Sequence, residues 1–378
     1  MNNIFQWLNL VVDIRQAKKV KHLMKDIILI VFFAKLAKAD EWMDIYYFAA
    51  SKESFLKKYM DLPNGIPSHD TIQRVFAMVS PEFLSKFQLR WNELLNGNQG
   101  EKLKKIFALD GKTQRGNKRG GQQPNHIVSA VDENGFCFSQ RLVDEKSNEI
   151  KAIPGLLDEI NVKGHIVTID AMGCQKDIAL KIVQSKADYV LALKGNQETL
   201  FEDVKLYFED TELRKRCAYT RTAQKARSSY EVREYWQTED ISWLSQKKDW
   251  SKFRSIAMTR NTIIKGDKKT VETRYFISSL KTTTTEIGTK TADDIARAIR
   301  SHWMVESYHH HLDVTFKEDA NQTVEKTAAL NLNIISKLAL NALKLLDVGS
   351  KFKNISTKGK RFLTSLDPEK YIGMLLEV

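Results

Sequence analysis

The sequence predicts an α/β protein in which a helical N-terminal region precedes a mixed sheet and a β-rich insertion separates that sheet from the last helices. Three observations predict this fold class. Apolar residues recur every three to four positions over residues 1–98, strand-like runs begin near residue 106, and helix and strand patterns then alternate to about residue 200. Residues 201–288 again show a β pattern.

The first 98 residues are expected to form a helical domain. Residues 20–50 carry apolar side chains at helical spacing, and Ser68 precedes a second amphipathic run, where its hydroxyl would serve as an N-cap.

Residues 99–200 are expected to supply the first part of the core. The sequence Glu133-Asn134-Gly135 separates two strand-like runs, which predicts a hairpin. The expected strands cover residues 106–111, 126–135, 136–145, 165–170 and 188–195, and the expected helices cover 149–160 and 175–186.

Residues 201–288 are expected to form the β-rich insertion, with a hairpin around Lys265-Gly266-Asp267-Lys268. Residues 289–378 are expected to be helices that complete the core, the first with Thr291 as its N-cap and acids in its first turn.

Composition excludes several classes of protein. With 42% hydrophobic residues the chain is not disordered, and its three cysteines are too few for a disulfide framework or a metal cage. The longest apolar run, residues 27–34, is much shorter than the ~20 residues of a membrane span, so we expect no membrane partner. The formal charge of +12 favours a polyanionic partner, and basic residues cluster at Arg15–Lys25, Lys102–Arg119 and Lys351–Arg361.

Three acidic residues are candidates for a metal site. Asp110 and Asp170 each follow an apolar strand-like run, where an ionised carboxylate packs poorly unless it is paired or bound to a cation. Glu306 shares a helix face with His302, His310 and Asp313. That region is compatible with a zinc site of His302, Glu306 and either His310 or His309, with a structural network of histidines and acids, or with the last carboxylate of a magnesium site.

Four sequence blocks make the interpretation more specific. ALDGKTQRG, KSNEI, IVTIDAMGCQ with DYVLALKGNQ, and IRSHWMVESYHHHLDVTFKEDA resemble successive blocks of the bacterial DDE transposases associated with H-repeats and Rhs elements, and LPNGIPSHDTIQRVFA resembles their N-terminal associated domain. The chain departs from related transposases where His302 and Asp313 replace an Arg and a Lys near the Glu. It also departs at Ala226–Ser229, where many members carry Gly-His-Gly-Arg.

The resemblance implies a ribonuclease-H-like core and a triad of Asp110, Asp170 and Glu306 that holds two Mg²⁺ ions, for which Mn²⁺ can substitute. It implies cleavage at the ends of an element and joining of the 3′ hydroxyl to target DNA by a cytoplasmic, nucleoid-associated protein that dimerises on double-stranded DNA. His302, His310 and Asp313 would then lie around the metal ligands or on the DNA. Basic and polar residues near the strands are expected at backbone phosphates unless they form solvated loops: Lys112, Arg115, Lys118, Arg119, Lys194 and Asn196.

Two other functions stay open at the level of sequence. A transposase-derived DNA-binding protein without activity would have the same basic charge. A metal-dependent nuclease without strand transfer would use the same three carboxylates.

Overall fold

A nine-stranded mixed sheet runs through the computed structural model, which describes residues 6–96, 104–117, 123–143, 148–225 and 228–377. Its strands lie in the order β3-β2-β1-β4-β5-β9-β8-β7-β6, and a separate two-stranded ribbon pairs β10 with β11. The strand bounds are β1 Ile106–Thr113, β2 His126–Asp132, β3 Cys137–Leu142, β4 Ile166–Ile169, β5 Asp188–Leu193, β6 Ala218–Lys225, β7 Tyr230–Thr238, β8 Ser255–Lys265, β9 Lys268–Ser278, β10 Thr283–Thr284 and β11 Lys290–Thr291.

Helices cover both faces of this sheet. Their bounds are α1 Met24–Leu36, α2 Trp42–Ser51, α3 Glu53–Leu56, α4 His69–Phe76, α5 Pro81–Asn96, α6 Glu149–Glu159, α7 Lys176–Gln184, α8 Glu198–Glu209, α9 Thr211–Lys215, α10 Asp293–Thr315, α11 Lys326–Leu345, α12 Thr357–Leu366 and α13 Pro368–Glu377. The predicted α/β class with a large mixed sheet is therefore confirmed.

Helix α1 lies inside the molecule and explains the longest apolar run of the sequence. Twelve of its thirteen residues are buried, because the helix packs against α11 and the other N-terminal helices. Within the described residues, no helix has the length and apolarity to cross a membrane.

The N-terminal helices share one hydrophobic core with α10, α11 and α13. A second core lies between the other face of the sheet and α6, α7 and α8, and a third packs the first half of α10 on the middle strands. The division of the chain at residues 98, 200 and 288 stays a prediction.

Both expected hairpins are present. In the turn between β2 and β3, Gly135 has a φ of +74° and its N–H donates to the carbonyl of Asp132. Gly266, with a φ of +57°, lies in the two-residue turn between β8 and β9. Positive φ is the backbone conformation for which glycine is favoured, so these turns follow directly from local sequence.

The β pattern expected from about residue 200 begins later, at Ala218. The preceding residues form α8 and α9 because Leu200, Val204, Tyr207 and Phe208 recur at helical spacing and are buried on the sheet. The strands that follow pair with the core through β5 and β9, so they extend the central sheet.

Candidate functional site

Asp110 and Asp170 lie at the same level of two neighbouring parallel strands, Asp110 within β1 and Asp170 directly after β4. The pairing of β1 with β4 ends at Leu109 and Ile169, and each aspartate is the next residue of its strand or chain. Neighbouring strands are ~4.8 Å apart, which brings the two side chains to the same edge of the sheet. Asp110 is not at the end of a strand as the sequence suggested, because β1 continues to Thr113 through its antiparallel pairing with β2.

Helix α10 places Glu306 at the same cavity. The cavity has a volume of about 480 Å³ and lies between α10 and the face formed by strands β1, β4, β5, β9, β8 and β7. Its charged and aromatic lining residues are Asp110, Asp170, Lys194, Phe201, Glu231, Arg233, Tyr235, Glu272, Arg274, Tyr275, Phe276, Arg300, His302, Trp303 and Glu306. The structure thus brings the three predicted carboxylates to one cavity.

Burial raises the pKa of the Asp170 carboxyl above its ordinary value. The backbone N–H groups of Met172 and Gly173 donate to Asp170 Oδ1 at 3.1 and 3.3 Å, which opposes this shift, while the charges of Asp110 and Glu149 add to it. Glu306 is exposed to solvent on one side, and its pKa is raised first by partial desolvation and further by Asp110, whereas Arg274 lowers it. The negative charge of the site is therefore not fully compensated by the protein.

Two histidines of α10 face these acids. His302 Nδ1 lies 3.1 Å from Thr168 Oγ1, and burial lowers the pKa of its imidazole. His309 Nδ1 lies 3.4 Å from Asp110 Oδ2. His310, the predicted partner of this face, is exposed and does not line the cavity. The stripe is His302, Glu306, His309 and Asp313, whose 4-3-4 spacing follows one helix face more closely.

Lys112 lies in a buried cluster of charges beside the cavity. Its Nζ contacts Asp313 Oδ1 at 2.7 Å, Glu318 Oε2 at 2.7 Å and Asp319 Oδ1 at 3.2 Å, and only 11% of its side chain is exposed. Burial alone would lower the pKa of Lys112, but Glu318 and the other carboxylates outweigh it and raise that pKa. Both side chains are already bound within the protein. A contact of Lys112 or Asp313 with DNA stays a prediction.

The remaining predicted contact residues lie around the rim. Lys194 is exposed and lines the cavity. Asn196 is also exposed, and its Nδ2 donates to the carbonyl of Ala171 at 2.7 Å, which ties the end of β5 to the loop after Asp170. The Arg115 side chain is exposed, while its backbone N–H donates to Asp319 Oδ1. Lys118 and Arg119 lie outside the described residues.

The three basic clusters of the sequence differ in exposure. Lys18, Lys19 and Lys21 are exposed, whereas Arg15 is paired with Asp13. Arg361 is buried, and its Nη2 contacts Asp40 Oδ1 at 2.6 Å, so this residue is part of the interior and not of a surface track. Part of the middle cluster, including Lys102, lies outside the described residues.

Residues 6–96, 104–117, 123–143, 148–225 and 228–377 contain no group of three or more His, Cys, Asp or Glu side chains close enough together to hold a metal ion. The zinc site considered from the sequence therefore has no support here. For magnesium, three carboxylates at one cavity are the right kind of donor, although they do not yet lie within reach of one ion.

Two contacts of the site had no signal in the local sequence, although Glu149 belongs to the KSNEI block. Arg274 reaches the cavity from β9, and its guanidinium lies 4.8 Å from the centroid of the Trp303 ring. On the other face of β1, Glu149 Oε1 lies 2.6 Å from His126 Nε2 and occupies the space that a Cβ on Gly111 would need. Both depend on strand register and on contacts between distant segments.

Two family models match the chain, and both concern transposases. The model "DDE_Tnp_1-associated" matches residues 5–92, and the model "Transposase DDE domain" matches residues 101–342. A structure of the piggyBac transposase synaptic complex with hairpin DNA covers 99% of this chain and 77% of that chain, but a TM-score of 0.43 at 11% identity is too low to support a conclusion.

Two relatives from Escherichia coli match over nearly their whole length. "Putative transposase YncI" of strain O157:H7 is 36% identical over 361 residues, which cover 91% of this chain and 88% of that protein. "H repeat-associated putative transposase YhhI" of strain K12 is 35% identical over 355 residues, which cover 91% of this chain and 90% of that protein. The chain therefore belongs to the bacterial DDE-domain transposases, together with the H repeat-associated proteins.

Proposed function

We propose that the chain cuts phosphodiester bonds at the ends of a mobile DNA element and joins the freed 3′ hydroxyl to target DNA, with Asp110, Asp170 and Glu306 as its catalytic carboxylates. One observation supports this most directly. The two aspartates follow the last paired residues of adjacent parallel strands, and α10 brings Glu306 to the same cavity. The ribonuclease-H-like description of this core is part of the proposal.

Asp110, Asp170 and Glu306 would hold Mg²⁺, as two ions, with Mn²⁺ as a substitute. Carboxylate oxygens are the ligands that Mg²⁺ prefers, and the raised pKa values of Asp170 and Glu306 indicate negative charge that a cation would compensate. When bound, the ions would stabilise charge on the attacking and leaving oxygens. The proposal requires the Glu306 carboxylate to approach the aspartates, because no three acids among the described residues are already close enough.

The protein itself would orient the carboxylates and the DNA. The N–H groups of Met172 and Gly173 fix one oxygen of Asp170, and His309 contacts Asp110. Exposed Lys194 at the cavity rim would contact a phosphate of the bound strand.

Other expectations are kept as part of this proposal. Arg115, Asn196 and His310 are exposed and stay assigned to the DNA. The double-stranded partners are the element ends and the target. Dimerisation on DNA and association with the nucleoid are proposals of the same kind.

The test uses the purified full chain and a plasmid that carries its reading frame with the flanking DNA, in the presence of Mg²⁺ or Mn²⁺. We expect cleavage at inverted repeats and products in which the element 3′ ends are joined to new DNA, and Glu306→Gln should abolish both. Cleavage without joined products would favour the nuclease. Binding of element ends without cleavage in either metal would favour the inactive DNA-binding protein.

A further inference from the structure

Four strands project beyond the body of the molecule as a β arm, defined here as residues 219–225, 230–234, 260–265 and 268–274 with the turn between the last two. The boundary is sharp. Tyr235, Thr259 and Tyr275 are buried: Thr259 pairs with Tyr235 across β7 and β8, and Tyr275 pairs with the residue before Thr259, Met258, across β8 and β9. Beyond this line every described residue of the four strands is exposed or half-buried.

The β arm is long enough to follow a ligand away from the cavity. Strand β5 pairs with β9 only as far as Leu193 and Tyr275, so no strand of the described residues pairs with residues 268–274 of β9 on that edge. At ~3.3 Å per residue, six steps from Arg274 to Lys268 span roughly 20 Å. This length corresponds to about six base pairs of duplex DNA at ~3.4 Å per base pair.

One face of the β arm continues the lining of the cavity. Residues paired across strands share a face, and those at the base of the arm that line the cavity are Arg233, Asn261, Glu272 and Arg274. The same alternation puts Lys265 and Lys268 on this face at the tip, where they are paired with each other. Lys225 and Lys269 are on the opposite face, because they align with Tyr230 and Ile264.

Charge is arranged along this face in a way that suits a phosphodiester backbone. At the base, the guanidinium of Arg274 stacks on Trp303 and pairs with Glu272 at 2.8 Å, and Arg233 pairs with Glu231. At the tip, Lys265 and Lys268 are exposed, and they form no ion pair with any described residue. Asn261 and Thr270 between them offer hydrogen-bonding groups.

We infer that the cavity face of the β arm binds the phosphate backbone of duplex DNA next to the bond held at Asp110, Asp170 and Glu306. This inference rests on the proposed function. Its base lies beside the carboxylates, since Glu272 and Arg274 line the same cavity as Glu306, and its tip reaches phosphates roughly six base pairs away. Removal of the tip lysines therefore weakens DNA binding without a change in the chemistry of the cavity.

The experiment compares two pairs of lysines at the same tip. Lys265→Ala/Lys268→Ala removes two charges from the cavity face, and Lys225→Ala/Lys269→Ala removes two from the opposite face. Affinity for an element-end duplex is measured as a function of salt concentration. The first variant is expected to reduce the slope of log K against log salt by up to ~0.9 per lost contact, and the second is expected to leave it unchanged. Cleavage of the same duplex by Lys225→Ala/Lys269→Ala should equal that of the wild type.

Shortened duplexes provide a second measurement. The duplex is shortened on one side of the cleaved bond until fewer than about six base pairs remain there. On the side that the β arm binds, this shortening should abolish the difference in salt slope between the two variants. Equal slopes for both variants, or a difference that survives shortening on either side, would contradict the inference. A wild-type protein that binds no element-end DNA would instead contradict the proposed function. Tighter binding of an acidic peptide than of DNA, lost in the first variant, would assign the β arm to a protein partner.

Discussion

The structure contains two groups of acidic side chains that lie next to each other but differ in their electrostatics. In the cavity, burial raises the pKa values of Asp170 and Glu306, and neighbouring acids raise them further. In the cluster around Lys112, burial would also raise the pKa of Glu318, but Lys112 and Lys337 outweigh it and lower that pKa. Strand β1 links the two groups, because Asp110 and Lys112 are two residues apart on the same face.

The comparison separates carboxylates that hold the fold together from carboxylates that are open to an external cation. Glu318 is 5% exposed and is bound by Lys112, Gln114 and Asn333, so its charge is satisfied within the protein. Asp170, by contrast, accepts two backbone N–H groups on one oxygen, and its pKa is nevertheless raised. The cluster also connects β1 to the helix of Glu306 through Asp313, which makes Lys112 a candidate positioning residue for the site.

The largest effect is expected when the cation of the buried cluster is removed. Lys112→Met removes the cation that three carboxylates share, and breaking a buried ion pair from one side costs ~3–5 kcal/mol. The free energy of unfolding, from denaturant titration, should fall by this amount. Lys176→Met, which breaks the exposed pair with Asp249, should cost no more than ~1 kcal/mol. Equal losses for both variants would show that the cluster is not a structural element.

A second prediction concerns the cavity. Asp170→Asn keeps the acceptor for Met172 and Gly173 but removes the charge, so cleavage of element-end DNA should fall by about 10²–10³-fold with thermal stability retained. Glu318→Gln should show the opposite pattern, a lower melting temperature with activity in proportion to the folded fraction. Wild-type cleavage by Asp170→Asn would remove Asp170 from the proposed catalytic residues.

A third prediction tests the contact on the face of β1 opposite the cavity. In Gly111→Ala the new methyl group would overlap the carboxylate of Glu149, which is paired with His126, and overpacking of this kind costs ~1–3 kcal/mol. Gly373→Ala in α13 meets no heavy atom within 4 Å and should be neutral or stabilising by up to ~1 kcal/mol. Chemical denaturation of both variants provides the comparison.

The smallest expected effect is a difference in pH dependence. The pKa of Asp170 is raised above 3.8 in the folded state. Its favourable contribution to the free energy of unfolding is therefore present below pH 3.8 and is lost as pH rises through the folded pKa. The stability of Asp170→Asn relative to the wild type should therefore increase from pH 4 to pH 7. The pKa of Glu318 is lowered below 4.5, so its contribution is present above that pH and is lost on acidification. If the free energies of unfolding of Asp170→Asn and the wild type differ by a constant amount from pH 4 to pH 7, the raised pKa of Asp170 is contradicted.

The sequence by itself determined the features that depend on neighbouring residues. The α/β alternation follows from hydrophobic periodicity, and the two hairpins follow from Asn134-Gly135 and Gly266-Asp267. Asp110 and Asp170 were identified because each comes directly after an apolar run. These signals are local, and few other conformations satisfy them.

The tertiary structure decided which side chains meet. Lys112 contacts Glu318, 206 residues away, and no local pattern encodes that pairing. His309 contacts Asp110 where His310 was expected near the site, because the exact rotation of α10 depends on its packing against the sheet. Arg274 reaches the cavity through strand register between β8 and β9 and through the pairing of β9 with β5. Such contacts are set by the packing of distant segments, which hydrophobic periodicity and turn residues do not specify.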